Sequence, residues 1–204
     1  MIPLIAAAIA LIGVATGGYH FFKEKNTIYI TTLGLRGSGK TILQLAIRNI
    51  APEKYLTIST DELDEVILKR GENSITIKKG NDISGDPAML RSYTTEEIEK
   101  SDVVFCLFNA NDFLIEKDHP RNEVFSYFTK IVIPSIDSSK RMFFVGTHAD
   151  LLPKRAQNQK EIMGLLKQSI KENNKNFELK ADAFIFLDLT KKEEIEKLVE
   201  KLFK

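Results

Sequence analysis

The run Gly34-Leu35-Arg36-Gly37-Ser38-Gly39-Lys40-Thr41 places two glycines, a lysine and a threonine at the spacing G-x-x-x-x-G-K-[ST], with a third glycine, Gly37, between. Those residue types suit one chemistry, the grip of a phosphate chain. Glycines let the backbone wrap an anion so closely that successive N–H groups point inward. Lys40 would reach the outer phosphates as a point charge, and the Thr41 hydroxyl would hold Mg²⁺. Gly34, Arg36, Gly37, Ser38, Gly39, Lys40, Thr41 and Ile42 are the candidate nucleotide-binding residues of this run. Such a loop needs a buried strand before it and a helix after it, with the positive helix end aimed at the anion. Ile28 to Leu33 is β-branched, aromatic and apolar, as a buried strand should be, and Thr41 to Ile50 has the composition and apolar spacing of a helix.

Two further segments carry chemistry of the same kind. Asp82-Ile83-Ser84-Gly85 follows a strand-like run, where a carboxylate can hold Mg²⁺ through a water and a glycine N–H can sense a γ-phosphate. The bland alternative is an ordinary Asp-Gly loop. Thr147-His148-Ala149-Asp150 follows the strand-like run Arg141 to Gly146. An acidic side chain there accepts hydrogen bonds from guanine N1 and its exocyclic amine, a donor pair that adenine lacks. The alternative is an aspartate that caps the helix Pro153 helps to start.

The elements that would position these residues alternate. Strands are expected over 28–33, 54–59, 65–70, 74–79, 103–108, 141–146 and 183–188, and helices over 40–50, 88–100, 120–132, 155–172 and 191–203. The pattern implies an α/β domain with a mostly parallel sheet covered on both faces. Gly71-Glu72-Asn73 separates 65–70 from 74–79, so that pair reads as a hairpin with one antiparallel edge strand. Asp61 to Arg70 has a competing reading as a short helix, through the spacing of Leu63, Val66 and Ile67. Ile195, Leu198, Val199 and Leu202 make one apolar stripe on the last helix.

Bulk properties narrow the function classes. With 29 Lys and Arg against 28 Asp and Glu, the 204-residue chain carries a net charge of +1 and lacks the basic excess that nucleic-acid binding wants. Its single cysteine, Cys106, sits in the apolar run Val103 to Phe108 and reads as a buried strand residue; one Cys and three His make no structural zinc site.

The N-terminus reads as a separate object. Ile2 to Tyr19 holds no charged residue, and Phe21 and Phe22 extend the run, so residues 1–22 are just long enough to span a bilayer that needs roughly 20 helical residues. Lys23 and Lys25, in a short linker over 23–26, would place the following domain on the cytoplasmic side. A cleaved signal peptide would normally carry a positive n-region, which is missing here, and a buried core helix is the other alternative. Gly13 and Gly17 form a weak helix-pairing motif. The expected fold is therefore a three-layer P-loop NTPase domain over 27–204 preceded by a transmembrane helix.

The order of the motifs resembles the small Ras-superfamily GTPases, most nearly the Arf-type proteins and the membrane-anchored β subunit of the signal recognition particle receptor. Gly34 to Thr41 is similar to the Arf-type P-loop, Asp82 to Gly85 to the D-x-x-G element, Leu90-Arg91 to the residues after it, and Val103 to Asp112 to the fourth strand and its loop. Thr147 to Asp150 with Leu151-Leu152-Pro153 is similar to the base-recognition element and its flank. The resemblance implies binding of GTP or GDP with Mg²⁺, metal contacts from Thr41, Asp82 and a switch threonine, and a protein partner that reads the switch regions. Thr60 is the best switch candidate, with Thr57 and Ser59 behind it. Asp188-Leu189-Thr190 occupies the place of the last base-contacting loop without its usual Ser-Ala-Lys, and Leu189 is the residue taken as a contact.

Departures from the family touch the chemistry. Asp86 stands where a water-orienting glutamine is usual, and Pro87 restricts it to extended backbone. A carboxylate there repels the γ-phosphate, which implies slow intrinsic hydrolysis. Arg36 lies inside the P-loop, either supplying positive charge to the transition state or facing solvent; His148 replaces the usual lysine. Lys40, Asp86 and Arg36 are the candidate catalytic residues. A nucleotide-binding scaffold with negligible hydrolysis and a P-loop ATPase or kinase are the competing functions, the latter opposed by Asp150.

Overall fold

The computed structural model describes residues 27–48, 61–83, 85, 87–115, 119–137, 139–177, 179 and 181–203. The strand before the P-loop is split at Tyr29 into β1 (Thr27–Ile28) and β2 (Ile30–Leu33). At the split, the Tyr29 N–H donates to Asp102 Oδ2 at 2.9 Å, and the Tyr29 carbonyl accepts from the Asp102 N–H at 2.8 Å. The strand thus changes partners along its length. β1 pairs in parallel with β5 (Asn73–Ile77), while β2 pairs in parallel with β7 (Val103–Asn109). Beyond β7 lie β8 (Arg141–Thr147) and β9 (Phe184–Phe186), both parallel; beyond β5 lies β4 (Val66–Arg70), antiparallel. Side by side the order is β4-β5-β1/β2-β7-β8-β9.

β4 settles the ambiguity of 61–70 in favour of strand. Val66 and Leu68 point into the core while Ile67 and Lys69 are exposed, an alternation only a strand makes useful. Its turn is one residue shorter than the spacing implies. Arg70 pairs with Asn73 around Gly71-Glu72, and the φ of 58° at Gly71 is what a two-residue turn of this hand demands. The hairpin continues as a second antiparallel pair, β3 (Asp61–Leu63) with β6 (Gly80–Asp82), so the antiparallel part is longer than expected. The expected strand 54–59 lies outside the described residues.

Helices cover both faces. α1 (Lys40–Ile47) and α6 (Lys192–Glu200) pack on one side; α2 (Pro87–Lys100), α3 (Ala110–Ile115), α4 (His119–Tyr127) and α5 (Arg155–Asn173) pack on the other. β7 shows why the sheet is buried twice over. Val103, Phe105 and Leu107 join the first core, and Val104, Cys106 and Phe108 join the second, so an unbroken apolar run still alternates. α4 does not continue as an α-helix to 132. Phe128–Val132 is π-helical and Ile133–Ser135 is 3₁₀. In the π turn the Ile133 N–H goes to the Phe128 carbonyl, and Pro134, which has no N–H to give the Lys130 carbonyl, keeps an α-helix from running on beyond it. Asn174 Nδ2 caps the neighbouring Thr129 carbonyl at 3.0 Å.

One expectation is corrected. Among the described residues no helix is long and apolar enough to cross a membrane. The longest, α5, has 19 residues but carries Arg155, Lys160, Glu161, Lys167, Lys171 and Glu172. The fold is an α/β domain with a mostly parallel sheet, without a spanning helix as one of its described elements. The anchor expected over 1–22 and the linker over 23–26 lie outside the described residues.

Candidate functional site

β2 and β7 are neighbours whose onward connections leave toward opposite ends of the sheet. A crevice at the carboxyl ends of such a strand pair is where open α/β sheets take ligands. The loop 34–39 lies there. Gly34 is pressed against β7: a Cβ on it would come within 2.2 Å of the Leu107 carbonyl oxygen, so no side chain fits. Gly39 takes φ 85° as the residue before α1, in the left-handed region, and α1 has no side-chain cap. The Ser38 hydroxyl is buried with no hydrogen-bond partner among the described residues. A loop with a buried, unengaged hydroxyl and an uncapped helix start fits an oxyanion.

Lys40 is 6% exposed, and its Nζ donates to the Leu35 carbonyl at 3.1 Å, closing the loop on itself. Burial lowers the ammonium from 10.5 to about 8, with the Asp82 charge pulling the other way. Beside it the Thr41 hydroxyl donates to Asp82 Oδ2 at 2.5 Å, so the two expected metal-contacting groups adjoin although 41 residues separate them. Among the described residues no cluster of His, Cys, Asp and Glu could hold a metal by itself. A hydroxyl and one carboxylate instead fit Mg²⁺, which keeps waters and takes the rest of its ligands from phosphates. Gly85 lies directly on the P-loop, since a Cβ there would stand 2.4 Å from the Arg36 nitrogen and 2.7 Å from the Leu35 carbonyl carbon. The Asp82 to Gly85 segment is therefore not a remote Asp-Gly loop. Arg36 is exposed, and Ile42 is half-buried on α1.

The Thr147 to Asp150 segment reaches the same place. Thr147 is fully buried, its hydroxyl 3.0 Å from the Ser38 carbonyl and 3.1 Å from that of Phe108, which ties this loop to the P-loop. His148 has a φ of 54°, left-handed, and its Nδ1 lies 2.9 Å from the Thr147 hydroxyl. Asp150 is exposed in the 3₁₀ turn Ala149–Leu151. It does not cap α5, which starts after Lys154 without a side-chain cap. The loop after β9 joins on the other side. The Leu187 N–H donates to the Gly146 carbonyl at 2.9 Å, the Ala149 N–H reaches the Leu187 carbonyl at 3.3 Å, and Leu189 lies so close to Gly39 that a Cβ there would be 2.6 Å from its Cδ1.

The structure thus brings Gly34 to Thr41, Asp82, Gly85, the loop from Thr147 to Asp150 and Leu189 together at the carboxyl ends of the parallel strands. Thr60 and Asp86 lie outside the described residues. Other participants escaped the sequence reading. Asn109 Oδ1 accepts from the Asn111 and Asp112 N–H groups at 3.0 and 3.2 Å and starts α3, where a loop was expected. An Asn two or three residues ahead of those amides is a helix-start signal in its own right. Arg155 Nη2 contacts both oxygens of Glu194, at 3.0 and 2.8 Å, and a pair 39 residues apart leaves no local signal. A groove of about 400 Å³ along Ile133 and Asn173 to Phe177 opens at the far end of the sheet and shares no residue with this site.

No protein-family model matches the chain, and no curated protein matches it significantly.

Proposed function

We propose that the chain is a guanine-nucleotide-binding domain of the small GTPase type, which takes GTP or GDP with Mg²⁺ and hydrolyses GTP slowly. The observation that supports this reading most is the meeting of Asp82, Gly85 and Thr147 with the P-loop, because a glycine-rich turn that matched by chance would have no reason to gather the other two motifs. In this reading Gly34, Gly37, Ser38, Gly39 and Lys40 cradle the phosphates. A phosphate beside Lys40 restores the full charge that burial now disfavours. Thr41 and Asp82 hold the metal, which supplies positive charge against the phosphate oxygens, and Thr60 joins them when a γ-phosphate is present. The Gly85 N–H addresses the same phosphate. Asp150 selects guanine, with Leu189 against the base and His148 beside it, while buried Thr147 braces the base-recognition loop on the Ser38 carbonyl.

Slow turnover follows from Asp86, which offers a repelling carboxylate in place of a group that orients water, and from Pro87, which is the first residue of α2 and fixes the chain just after it. Exposed Arg36 is free to meet the transferring phosphate or a partner. The order of the Thr60 and Gly85 regions then depends on the γ-phosphate, and a protein partner reads that difference. The test is to purify the chain without added nucleotide, denature it and identify what it releases. Guanine nucleotide, as GTP if hydrolysis is slow, is the expected result. Adenine nucleotide would overturn the role of Asp150.

A further inference from the structure

The guanidinium–carboxylate pair Arg155–Glu194 joins the first turns of the two helices that follow the 147–150 and 188–190 loops. Arg155 opens α5, just after the Thr147 to Asp150 segment; Glu194 lies in the first turn of α6, just after Asp188-Leu189-Thr190. Glu194 Oε2 also accepts the Asp188 N–H at 2.8 Å, so one carboxylate holds both a helix start and the loop backbone. Asp188, 3% exposed, continues the chain of contacts. Its Oδ1 accepts the Thr190 N–H at 2.9 Å and the Thr190 hydroxyl at 2.6 Å, and Lys191 Nζ lies 3.3 Å from its Oδ2. The loop is thus fixed on both sides of Leu189, the residue that lies on Gly39. The Arg155 hydrogen bonds hold the Glu194 carboxyl below its ordinary range, and the Thr190 hydroxyl does the same for Asp188, so both acceptors stay ionised at neutral pH.

We infer that Glu194, held by Arg155, is the positioning residue for the 187–191 loop and thereby sets how tightly the site grips the base, without touching the phosphates. The inference rests on the guanine-nucleotide reading of the site and names residues outside its motifs. Glu194 acts through Asp188 and Leu189, and its loss should leave Lys40, Thr41 and Asp82 where they are. Base affinity and phosphate affinity should therefore separate.

The experiment uses the full chain and the variants Glu194→Ala, Glu194→Gln and Arg155→Ala. GDP and tripolyphosphate, both with Mg²⁺, are titrated into each, and amide exchange of 187–191 is followed without nucleotide. Glu194→Ala should weaken GDP about tenfold, as expected when a charged acceptor of a backbone N–H is lost, with tripolyphosphate changed less than about twofold. Glu194→Gln keeps an acceptor for the Asp188 N–H and should recover much of that loss; Arg155→Ala should fall between. Exchange over 187–191 should quicken in the same order. An unchanged GDP affinity in Glu194→Ala overturns the inference, as does an equal loss for GDP and tripolyphosphate, which would signal general loosening. If the wild-type chain binds tripolyphosphate but neither GDP nor GTP, the guanine reading falls and the base-gripping role falls with it. Exchange would then still show whether Glu194 holds the loop.

Discussion

Replacing Lys40 by methionine should make the nucleotide-free protein more stable and its nucleotide complex weaker. The lysine is 6% exposed, and burial lowers its ammonium from 10.5 to about 8. A displacement of that size corresponds to about 3 kcal/mol of strain against the charged form at neutral pH. Methionine of similar length removes that cost. It also removes the hydrogen bond to the Leu35 carbonyl, worth about 1.5 kcal/mol, so the net gain is about 1–2 kcal/mol. For a chain of this size that is a rise of roughly 2–8 °C in Tm. The pH dependence carries the sign. Below pH 8 the ammonium is protonated in both the folded and unfolded chain, and the cost is present in full. From pH 8 to 10.5 the folded chain releases the proton while the unfolded chain keeps it, so wild-type stability rises relative to the variant and the gap closes. Urea unfolding of both proteins with EDTA, at pH 7 and pH 9.5, measures the gap. With Mg-GDP the order reverses, because the charged contact to phosphate is lost at about 3 kcal/mol, roughly a hundredfold in affinity. A variant that is less stable than wild type without nucleotide, or a gap indifferent to pH, would refute the reasoning.

Three other substitutions probe the convergence. Gly85→Ala puts a methyl group within 2.4 Å of the Arg36 nitrogen, a backbone atom that cannot rotate away; urea unfolding should show a loss of about 1–3 kcal/mol, and a neutral result would mean the two loops do not touch. Thr147→Val keeps the shape but takes the hydroxyl from the Ser38 and Phe108 carbonyls, and should cost about 1–3 kcal/mol in the same assay while weakening GDP. Asp150→Asn alters an exposed side chain, so stability should stay within about 0.5 kcal/mol while fluorescence titration shows GTP weakened roughly a hundredfold and ATP unaffected.

Local chemistry was legible in the chain, and distant pairing was not. The P-loop run needs only its own glycines and the strand and helix beside it, so it stands out in eight consecutive residues. β7 and β8 announce themselves by apolar runs too long for a half-exposed strand. The β3–β6 pair does not, because Asp61-Glu62-Leu63 is mostly polar and is a strand only by virtue of its partner. The end of the helix near 133 was written in Pro134, but the π-helical turn over 128–132 was not, because the sequence carries no local mark of where the Ile133 N–H will bond. At the site, motifs identified Lys40, Thr41, Asp82 and Thr147. Their contacts with the Leu35 carbonyl, with each other and with Ser38 appear only once the chain is folded. The Gly85 contact shows why a glycine stands there in this protein: the obstacle is the Leu35–Arg36 backbone, 49 residues back in sequence. The membrane-spanning expectation came from the length of an uncharged run and the lysines after it; no described helix answers it, and residues 1–22 lie outside the described residues.

The most direct test of the central claim is a calorimetric titration of the nucleotide-free chain with GTP and with ATP, each with Mg²⁺. The account predicts one GTP per chain, with ATP weaker by roughly a hundredfold because adenine cannot donate the hydrogen-bond pair that Asp150 accepts. Equal affinity for the two, or a preference for ATP, would contradict it.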